Sequence, residues 1–298
     1  MKVFLLAVLA CVLSAVPKPV YGRVTPAAQV LLTEKLIEGD VRAIKARENL
    51  LARAMKTIPS VDSNIENRDE VDAQLTAIAQ LVRSWGYRVS TTYTTLSDAY
   101  VSRKGSPLAL ALMLDDIGRV RHIPLEVVYW TGNDERLIVR FRYGRSENPQ
   151  YRYLYLETLQ IYDNFPSIRL HIPKHKKREL AAVGLVHVAL EGEKRQQSVV
   201  SVIDRALAMA SEHPHVTYHA AEYMSRRGEI ARAEALYRKS LTQERHFTHA
   251  GKSLSILLAR SGRYDDARQV LAGFRSAFSR VEYKSLEQEV SQLGCGIR

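Results

Sequence analysis

A serine near the middle of the sequence lies among residues that could support hydrolysis. Ser106 precedes a seven-residue apolar run that is followed by Asp115 and Asp116, and a further acid lies at Asp163. A serine becomes nucleophilic when a histidine takes its proton, and an acid then orients that histidine. The nearest histidine, His122, is sixteen residues away, which along a helix is roughly 20 Å. We therefore expect Ser106 to cap a helix, with a serine hydrolase as the alternative.

Cysteine positions argue against thiol chemistry. The sequence has two cysteines, Cys11 and Cys295. Cys11 lies within an apolar N-terminal segment that is typical of an export signal, and Cys295 lies three residues before the last position. An exported chain that keeps one cysteine forms no internal disulfide and has no thiol inside a domain to act as nucleophile or metal ligand. We expect neither a cysteine-based zinc site nor a redox site.

Histidines are concentrated in the second half of the sequence and raise the question of metal binding. His215 and His219 are four residues apart at a predicted helix start, a spacing that can bind zinc. No third ligand and no glutamate base complete a zinc-protease motif around them. His171 and His175 could serve Ser106 as a base, but they belong to a basic linker. We therefore predict no metal and no cofactor.

The charge balance is strongly basic. The 298 residues include 43 Lys and Arg against 32 Asp and Glu, which gives a formal net charge of +11. No sequence-specific nucleic-acid motif accompanies this charge, so we do not expect specific binding to nucleic acid. The densest basic run, KHKKR at 174–178, could make weak contact with an anionic envelope surface. The simpler interpretation is a solvated linker ahead of a helix.

The N-terminus is typical of an export signal. One lysine precedes fourteen apolar or small residues between Lys2 and Val16, and residues 20–22 suit a signal peptidase. We expect residues 1–22 to be removed and the mature chain to be periplasmic or secreted, with retention of the segment as an anchor as the alternative. No later apolar stretch reaches eighteen residues, so no transmembrane segment is expected in the mature chain.

A period of 34 residues runs through the C-terminal third of the sequence. Gly228 and Gly262 are 34 residues apart, and so are Ala233 and Ala267. Apolar positions repeat with the same period at Val186, Ala220 and Leu254, and at Ile203, Tyr237 and Leu271. This period, with a glycine turn between two amphipathic helices, resembles that of the tetratricopeptide repeats.

The repeat pattern weakens at both ends of this region. The first repeat, at about 180–213, is degenerate because Lys194 stands where the later repeats have glycine. No single helix pair can bury its apolar face, so about three repeats and a cap are needed. Residues 281–293 could form that cap.

Stacked helix pairs form a concave surface, and the register of the repeat family selects the side chains on it. Five side chains are expected there: Tyr218, Glu222, Arg226, Lys252 and Arg260. Because three of the five are basic, the surface would suit an acidic peptide or a terminal carboxylate through charge-assisted hydrogen bonds. We predict a protein or peptide partner; the alternative is that these are ordinary solvated helix residues.

The middle of the sequence combines one apolar helix with short strands. Ser106 and Pro107 form a good helix start, and Leu108–Leu114 would be buried on nearly all sides. Strand-like segments follow, separated by turn residues, at 125–130, 136–141 and 151–156. A buried helix against an antiparallel sheet is an α+β core.

Several segments of the sequence, in this order, resemble the bacterial transglutaminase-like family of SirB type. They are ENLLARAMKTIPSVDS with VDAQLTAIAQLVRSW, RKGSPLALAL, HIPLEVV, RLIVRF and IYDNF. Together they cover about residues 48–165, and the repeats extend the match to the end. The resemblance implies a helical lead-in, predicted here at 27–56 and 67–85 with a break at Ile58-Pro59, then a transglutaminase-like core and tetratricopeptide repeats.

The resemblance also implies a catalytic site without its nucleophile. Active members of the family use a cysteine at the N-terminus of the buried helix, where the helix dipole favours the thiolate, with a histidine as base and an aspartate that orients it. Here the cysteine position falls on Pro107, the stretch at the histidine position reads TGNDER, and only Asp163 remains of the three. Proline has no nucleophilic atom, so the resemblance implies a pseudoenzyme.

These observations predict an α+β protein: a helical lead-in and a transglutaminase-like, papain-like α+β core, followed by an all-α tetratricopeptide-repeat solenoid. The expected division is a signal peptide at 1–22, the core with its lead-in at 23–175, and the repeats with a capping helix at 176–298. We expect an exported, non-catalytic scaffold or adaptor and no enzyme activity. The alternatives are a peptide or acyl-bond hydrolase or transferase that uses non-cysteine residues of the cleft, and an envelope adaptor that holds an anionic polymer.

Overall fold

The computed structural model describes most of the chain after the N-terminal segment. The described residues are 25–38, 41–61, 65, 67–90, 95–130, 136–145, 147–163, 170–171, 176–194, 199–245 and 247–295. They are mixed helix and strand and mostly helical, which agrees with the predicted α+β class at that level. The predicted signal at 1–22, the TGND stretch at 131–134 and His175 lie outside the described residues.

Five helices are described before residue 121. They are α1 (Pro26–Glu38), α2 (Arg42–Thr57), α3 (Arg68–Ser84), α4 (Leu96–Ser102) and α5 (Pro107–Val120). The segment predicted as one helix at 27–56 is two helices, and α1 ends just before Gly39, a residue type of low helix propensity. The predicted break at Ile58 is confirmed, because α2 ends there on an extended residue.

Seven short strands are described between residues 88 and 171. They are β1 (Arg88–Val89), β2 (Lys104–Gly105), β3 (Leu125–Trp130), β4 (Arg136–Tyr143), β5 (Gln150–Tyr155), β6 (Gln160–Tyr162) and β7 (Leu170–His171). The last five form one sheet in the order β6-β5-β4-β3-β7, and every neighbouring pair is antiparallel. The strands β1 and β2 form a separate parallel pair. The predicted strands correspond to β3, β4 and β5.

Helix α5 is the centre of the N-terminal core. It packs against β3 and β4, while α3 covers β4, β5 and β6. Every residue from Leu108 to Leu114 is buried, as the uninterrupted apolar run predicted. The helix therefore has little freedom to shift, and its two ends have fixed positions relative to the sheet.

Seven helices are described after the sheet. They are α6 (Lys176–Lys194), α7 (Val200–Ala210), α8 (Pro214–Arg226), α9 (Ile230–Gln243), α10 (Thr248–Arg260), α11 (Tyr264–Ala272) and α12 (Arg280–Cys295). They pack in chain order: α6 against α7, α8 against α9, α10 against α11, and α12 against both α10 and α11. The small residues Ala233 and Ala267 are fully buried, which lets the second helix of each pair approach the first.

The two glycine turns predicted by the period have the same geometry. Gly228 and Gly262 both have a φ of +77°, a left-handed conformation that glycine adopts without steric cost. In both turns the residue after the glycine donates its amide to a carbonyl five positions back at 2.9 Å: Glu229 to Met224, and Arg263 to Leu258. The 34-residue period of the sequence is therefore also a period of the described structure.

Helix α6 packs against the N-terminal core as well as against the helices that follow it. It packs against α1, α5 and β3. Gly184 of α6 lies so close to Val30 of α1 that a Cβ at position 184 would overlap the Cγ2 atom of Val30. Buried apolar residues from α1 to α12 form a single cluster. Among the described helices, none combines the length and the apolar character that crossing a bilayer requires.

Candidate functional site

Ser106 and Pro107 begin helix α5 as the sequence predicted. Ser106 has an extended backbone, its Oγ accepts the amide of Ala109 at 3.3 Å, and Pro107 occupies the first turn. The hydroxyl thus satisfies one of the amides that a helix start leaves without an intrahelical partner. Ser106 is buried, and its role as a helix cap is confirmed.

Three aromatic rings pack around this helix start. Trp85 stacks on Tyr87 with centroids 6.0 Å apart and meets Tyr100 edge-on at 6.1 Å, and all three side chains are buried. The Tyr87 hydroxyl donates to the carbonyl of Ser106 at 3.5 Å. Burial raises the pKa of Tyr87, so its phenol stays protonated and serves as a donor. This hydrogen bond holds the Tyr87 ring against the start of the helix.

The histidine nearest to Ser106 in the sequence lies at the opposite end of the same helix. His122 follows the C-terminus of α5, has a φ of +58° and is exposed. No histidine in the described part of the chain hydrogen-bonds to the Ser106 hydroxyl. Ser106 therefore has no base within the described residues, and the sequence estimate of a large separation from His122 holds.

The acids that could have completed a triad are held by arginines. Asp115 accepts two hydrogen bonds from Arg119 of the same helix, at 2.5 and 2.8 Å. Asp116 is fully buried, and its Oδ2 atom accepts the Nε–H of Arg47 at 2.6 Å. Tyr100 lies 3.5 Å from the same oxygen, and burial together with the Asp116 charge raises the pKa of this tyrosine. Each of the two carboxylates thus forms a structural ion pair with an arginine.

Asp163, the remaining member of the implied triad, lies at the end of β6 in an arginine pair. Arg68 reaches its Oδ1 atom at 2.5 Å, and Arg152 contacts the same oxygen. Arg152 also makes two hydrogen bonds with Asp72, at 2.6 and 2.9 Å. The chain thus forms a four-residue ion network between α3 and the sheet. Of the two triad positions that can be located, Asp163 belongs to this network and Pro107 lies in the first turn of α5.

Three of the five predicted partner-binding side chains come together on helix α8. The Tyr237 hydroxyl of α9 donates to Oε1 of Glu222 at 2.5 Å, and Arg226 lies 3.7 Å from the other oxygen of that carboxylate. Arg226 also donates to Glu193 of α6, at 2.7 and 2.9 Å. Burial, and then the negative charge of Glu222, raise the pKa of Tyr237. Because Arg226 pairs with both Glu193 and Glu222, its positive charge is largely neutralised within the protein.

Tyr218 belongs to an aromatic cluster that the sequence reasoning missed. We call it the ring cluster, and its members are His187, Tyr218, His219, Phe247 and His249. The Tyr218 ring lies 4.8 Å from His219, 5.0 Å from Phe247 and 6.3 Å from His249, and His187 lies 5.0 Å from His219. These rings connect α6, α8 and α10. His187 and His219 are 32 residues apart, so the 34-residue period of the sequence did not indicate this cluster.

Lys252 and Arg260 are separate from that group and face solvent on helix α10. They lie 34 residues after Tyr218 and Arg226, so they occupy the equivalent positions of the next helix pair. Both are exposed, and Arg260 forms no ion pair with another described residue. Hydrogen bonds from Ser279 lower the pKa of Glu282, and the charge of Lys252 adds a smaller effect. These two cations are the predicted surface charges that remain most accessible to a partner.

The histidine pair at zinc-binding spacing does not converge on a common point. His215 is buried with its ring 4.8 Å from Phe247, whereas the ring of His219 lies against Tyr218 and His187. Within the described ranges, no group of three or more histidine, cysteine or carboxylate side chains could hold a metal ion.

No protein-family model matches this chain, and no curated protein matches it either. The resemblance to the SirB-type transglutaminase-like family therefore stays a prediction from the sequence segments that carry it.

Proposed function

We propose that this protein is an exported, non-catalytic adaptor of the SirB transglutaminase-like type, whose C-terminal tetratricopeptide repeats bind a protein or peptide. One observation carries the proposal: the turn at Gly228 recurs at Gly262 with the same hydrogen bonds. Tyr218 and Arg226 consequently have equivalents, Lys252 and Arg260, on the next helix pair. Equivalent positions of stacked helix pairs form a row across the helices, and such a row suits an extended partner.

The non-catalytic part of the proposal is supported by the start of helix α5. A hydrolase that used this position would need a nucleophile with a base in hydrogen-bonding reach. Ser106 instead caps the helix, Pro107 has no reactive atom, and the rings beside them are buried. No observation on the described residues favours the alternative of a peptide or acyl-bond hydrolase or transferase.

An acidic partner is supported by the charges that remain accessible. Arg226 is paired with Glu193 and Glu222, whereas Lys252 and Arg260 are exposed on α10. Carboxylates of a partner would pair with these two side chains through charge-assisted hydrogen bonds. Contact with an anionic envelope surface would instead use the net positive charge of the whole chain and would weaken steeply with salt.

The test of the adaptor function reverses the accessible charges of α10. The full chain, immobilised and exposed to envelope extract, should retain at least one protein that the Lys252→Glu/Arg260→Glu variant loses. Arg205→Glu/Arg268→Glu, at exposed positions on α7 and α11, changes the net charge by the same amount and should retain it. The same proteins retained by all three chains would overturn the proposal. An enzyme would behave differently, because Ser106→Ala would then abolish turnover of a peptide or acyl substrate.

A further inference from the structure

A groove with an apolar floor lies between α9, α10 and α11, away from the predicted partner-binding surface. Its volume is about 560 Å³, which is in the range of small-molecule sites. We call it the α9–α11 groove. Its floor consists of four apolar side chains: Leu241, Leu254, Val270 and Phe274. Leu254 and Phe274 are buried, and Leu241 and Val270 are half-buried. An apolar ligand in the groove could therefore contact both the buried and the half-buried side chains.

The charged side chains that line the α9–α11 groove are all basic. Arg238 and Arg245 line it together with the neutral polar residues Thr242 and Gln269, and the described lining contains no acid. Arg238 makes hydrogen bonds with Glu234, but Glu234 also accepts from Arg263 at 2.7 Å. One carboxylate thus serves two guanidinium groups. Arg245 is exposed and forms no ion pair with another described residue, so the rim stays positive.

The positive charge is confined to one side of the groove. Arg238 belongs to α9 and Arg245 follows its end, whereas the α11 side contributes Gln269, Val270 and the residues after them, which are uncharged. A ligand with one anionic end and one apolar end matches this asymmetry. A ligand with charges at both ends would place one of them over the apolar side, where it would lose water without gaining a partner.

A second cavity, beside α11 and α12, shows the contrast in charge. It measures about 510 Å³, and its lining includes Arg263, Asp265, Asp266 and Arg268. These charges pair with each other, since Arg263 contacts Asp266 at 2.6 Å and Arg268 lies 4.0 Å from Asp265. The charges of that lining cancel, whereas the described lining of the α9–α11 groove carries an excess of positive charge.

The α9–α11 groove and the proposed adaptor surface use different sides of helix α10. Leu254 of the groove floor is two residues from Lys252, which corresponds to about 200° around a helix axis. A ligand in the groove therefore leaves Lys252 accessible. Ligand binding in the groove would be a function beyond the adaptor role and would not depend on it.

We propose that the α9–α11 groove binds a free long-chain aliphatic carboxylate, that is, a fatty acid. The alkyl chain would lie on Leu241, Val270 and Phe274, where burial of apolar surface favours it. The carboxylate would accept hydrogen bonds from the guanidinium of Arg245, with Arg238 as the second cation, because charge-assisted pairs of this kind are the strongest available at a rim. A flexible alkyl chain can follow an open groove, and it needs no polar group along its length.

The test titrates the full chain with oleate below its critical micelle concentration and measures the heat of binding. We expect saturable binding to one site. Arg245→Gln should weaken it at least tenfold by removing the carboxylate's partner, and Val270→Glu should abolish it by placing a charge on the floor. Arg268→Glu, exposed on α11 and outside the groove, is the matched control and should bind oleate as the unchanged chain does.

Two further ligands separate charge from apolar attraction and free acid from membrane. Oleyl alcohol has the same chain without the carboxylate, so it should bind at least tenfold more weakly. Vesicles of phosphatidylglycerol present the anionic charge as a surface, and Arg245→Gln should sediment with them to the same extent as the unchanged chain, because the groove takes the free acid. Equal binding of the alcohol, equal binding of oleate by Arg245→Gln, or no saturable binding of oleate to the unchanged chain would each overturn the proposal. Circular dichroism of each variant checks that the helices are retained.

Discussion

The candidate catalytic acids of the N-terminal core form ion pairs with arginines. The sequence offers three candidates for a catalytic acid: Asp115, Asp116 and Asp163. Each of these carboxylates is paired with at least one arginine. A carboxylate that accepts charge-assisted hydrogen bonds from arginine has its charge compensated where it lies. The ion pairs therefore give these three acids a structural role in the fold.

The buried pair of Asp116 and Arg47 leads to a prediction at this scale. Asp116 is 0% exposed, and Arg47 donates to its Oδ2 atom at 2.6 Å. Removing one partner of a buried ion pair costs about 3–5 kcal/mol, because the other charge stays in an apolar environment. Arg47 retains some access to water, so we expect Asp116→Ala to lower the free energy of unfolding by about 3 kcal/mol, measured by urea unfolding.

The control for that measurement is an acid that is fully open to solvent. Asp265 has a side-chain exposure of 102% and lies 4.0 Å from its nearest cation. Asp265→Ala should change the stability by less than about 0.5 kcal/mol, as surface substitutions usually do. If the Asp116 variant proves as stable as this control, the buried pair does not stabilise the fold.

At the scale of single elements, the start of helix α12 is held by a reciprocal pair of hydrogen bonds. The Ser279 amide donates to Oε2 of Glu282 at 2.9 Å, and the Glu282 amide donates to Oγ of Ser279 at 3.2 Å. This is a capping box, and it fixes the first turn of the helix that the sequence predicted as the cap of the stack. The predicted span of 281–293 lies within α12.

The capping box makes the first turn of α12 sensitive to acid. The hydrogen bonds from Ser279 lower the pKa of Glu282 below its usual value of about 4.3. A carboxyl whose pKa is lower in the folded state stabilises that state above its unfolded pKa, and this contribution is lost as the pH falls through the folded value. We expect amide exchange at residues 280–284, corrected for the intrinsic effect of pH, to accelerate below about pH 4, measured by NMR.

Helix α5 supplies the control for this pH dependence. Its cap is the Ser106 hydroxyl, which accepts the Ala109 amide at 3.3 Å, and its first turn contains no acidic residue. Exchange in the first turn of α5 should not change in the same pH interval. The Glu282→Gln variant should remove the pH step at α12, and a step that persists in that variant would show that another group is responsible.

Elements differ in how far the sequence could predict them. The turns at Gly228 and Gly262 and the buried run of α5 were predictable, because periodicity and glycine report on local geometry. The ring cluster was not, because His187 and His219 are 32 residues apart and fall outside the 34-residue period. Their contact depends on how α6 rotates against α8. The pairing of Asp163 with Arg68 depends likewise on the docking of α3 onto the sheet.

At the scale of the whole molecule, the contact between Gly184 and Val30 ties the beginning of the described chain to its helical repeats. In a helix interior, alanine is more favourable than glycine by about 1 kcal/mol. A Cβ at position 184 would nevertheless overlap Val30, and overpacking costs about 1–3 kcal/mol. We expect the overlap to dominate, so that Gly184→Ala lowers the free energy of unfolding by about 1 kcal/mol or more.

A double-mutant cycle isolates this contact. Val30→Ala removes the methyl group that the new Cβ would meet, so Gly184→Ala should be stabilising, or neutral, in the Val30→Ala background. Unfolding in urea should remain a single transition in all four chains, because one apolar cluster extends from α1 to α12. A gain of stability from Gly184→Ala alone would show that α6 moves freely relative to α1.

The closeness of α1 and α6 has a consequence for biogenesis. Val30 can pack against Gly184 only after Gly184 has been synthesised, 154 positions later in the chain. Translation proceeds at about 5–20 residues per second, so this side of α1 waits for roughly 10–30 seconds without its final neighbour. During that interval the nascent polypeptide exposes the apolar face of α1 that will pack on α6. A holding chaperone that binds exposed apolar segments would protect this face until α6 emerges.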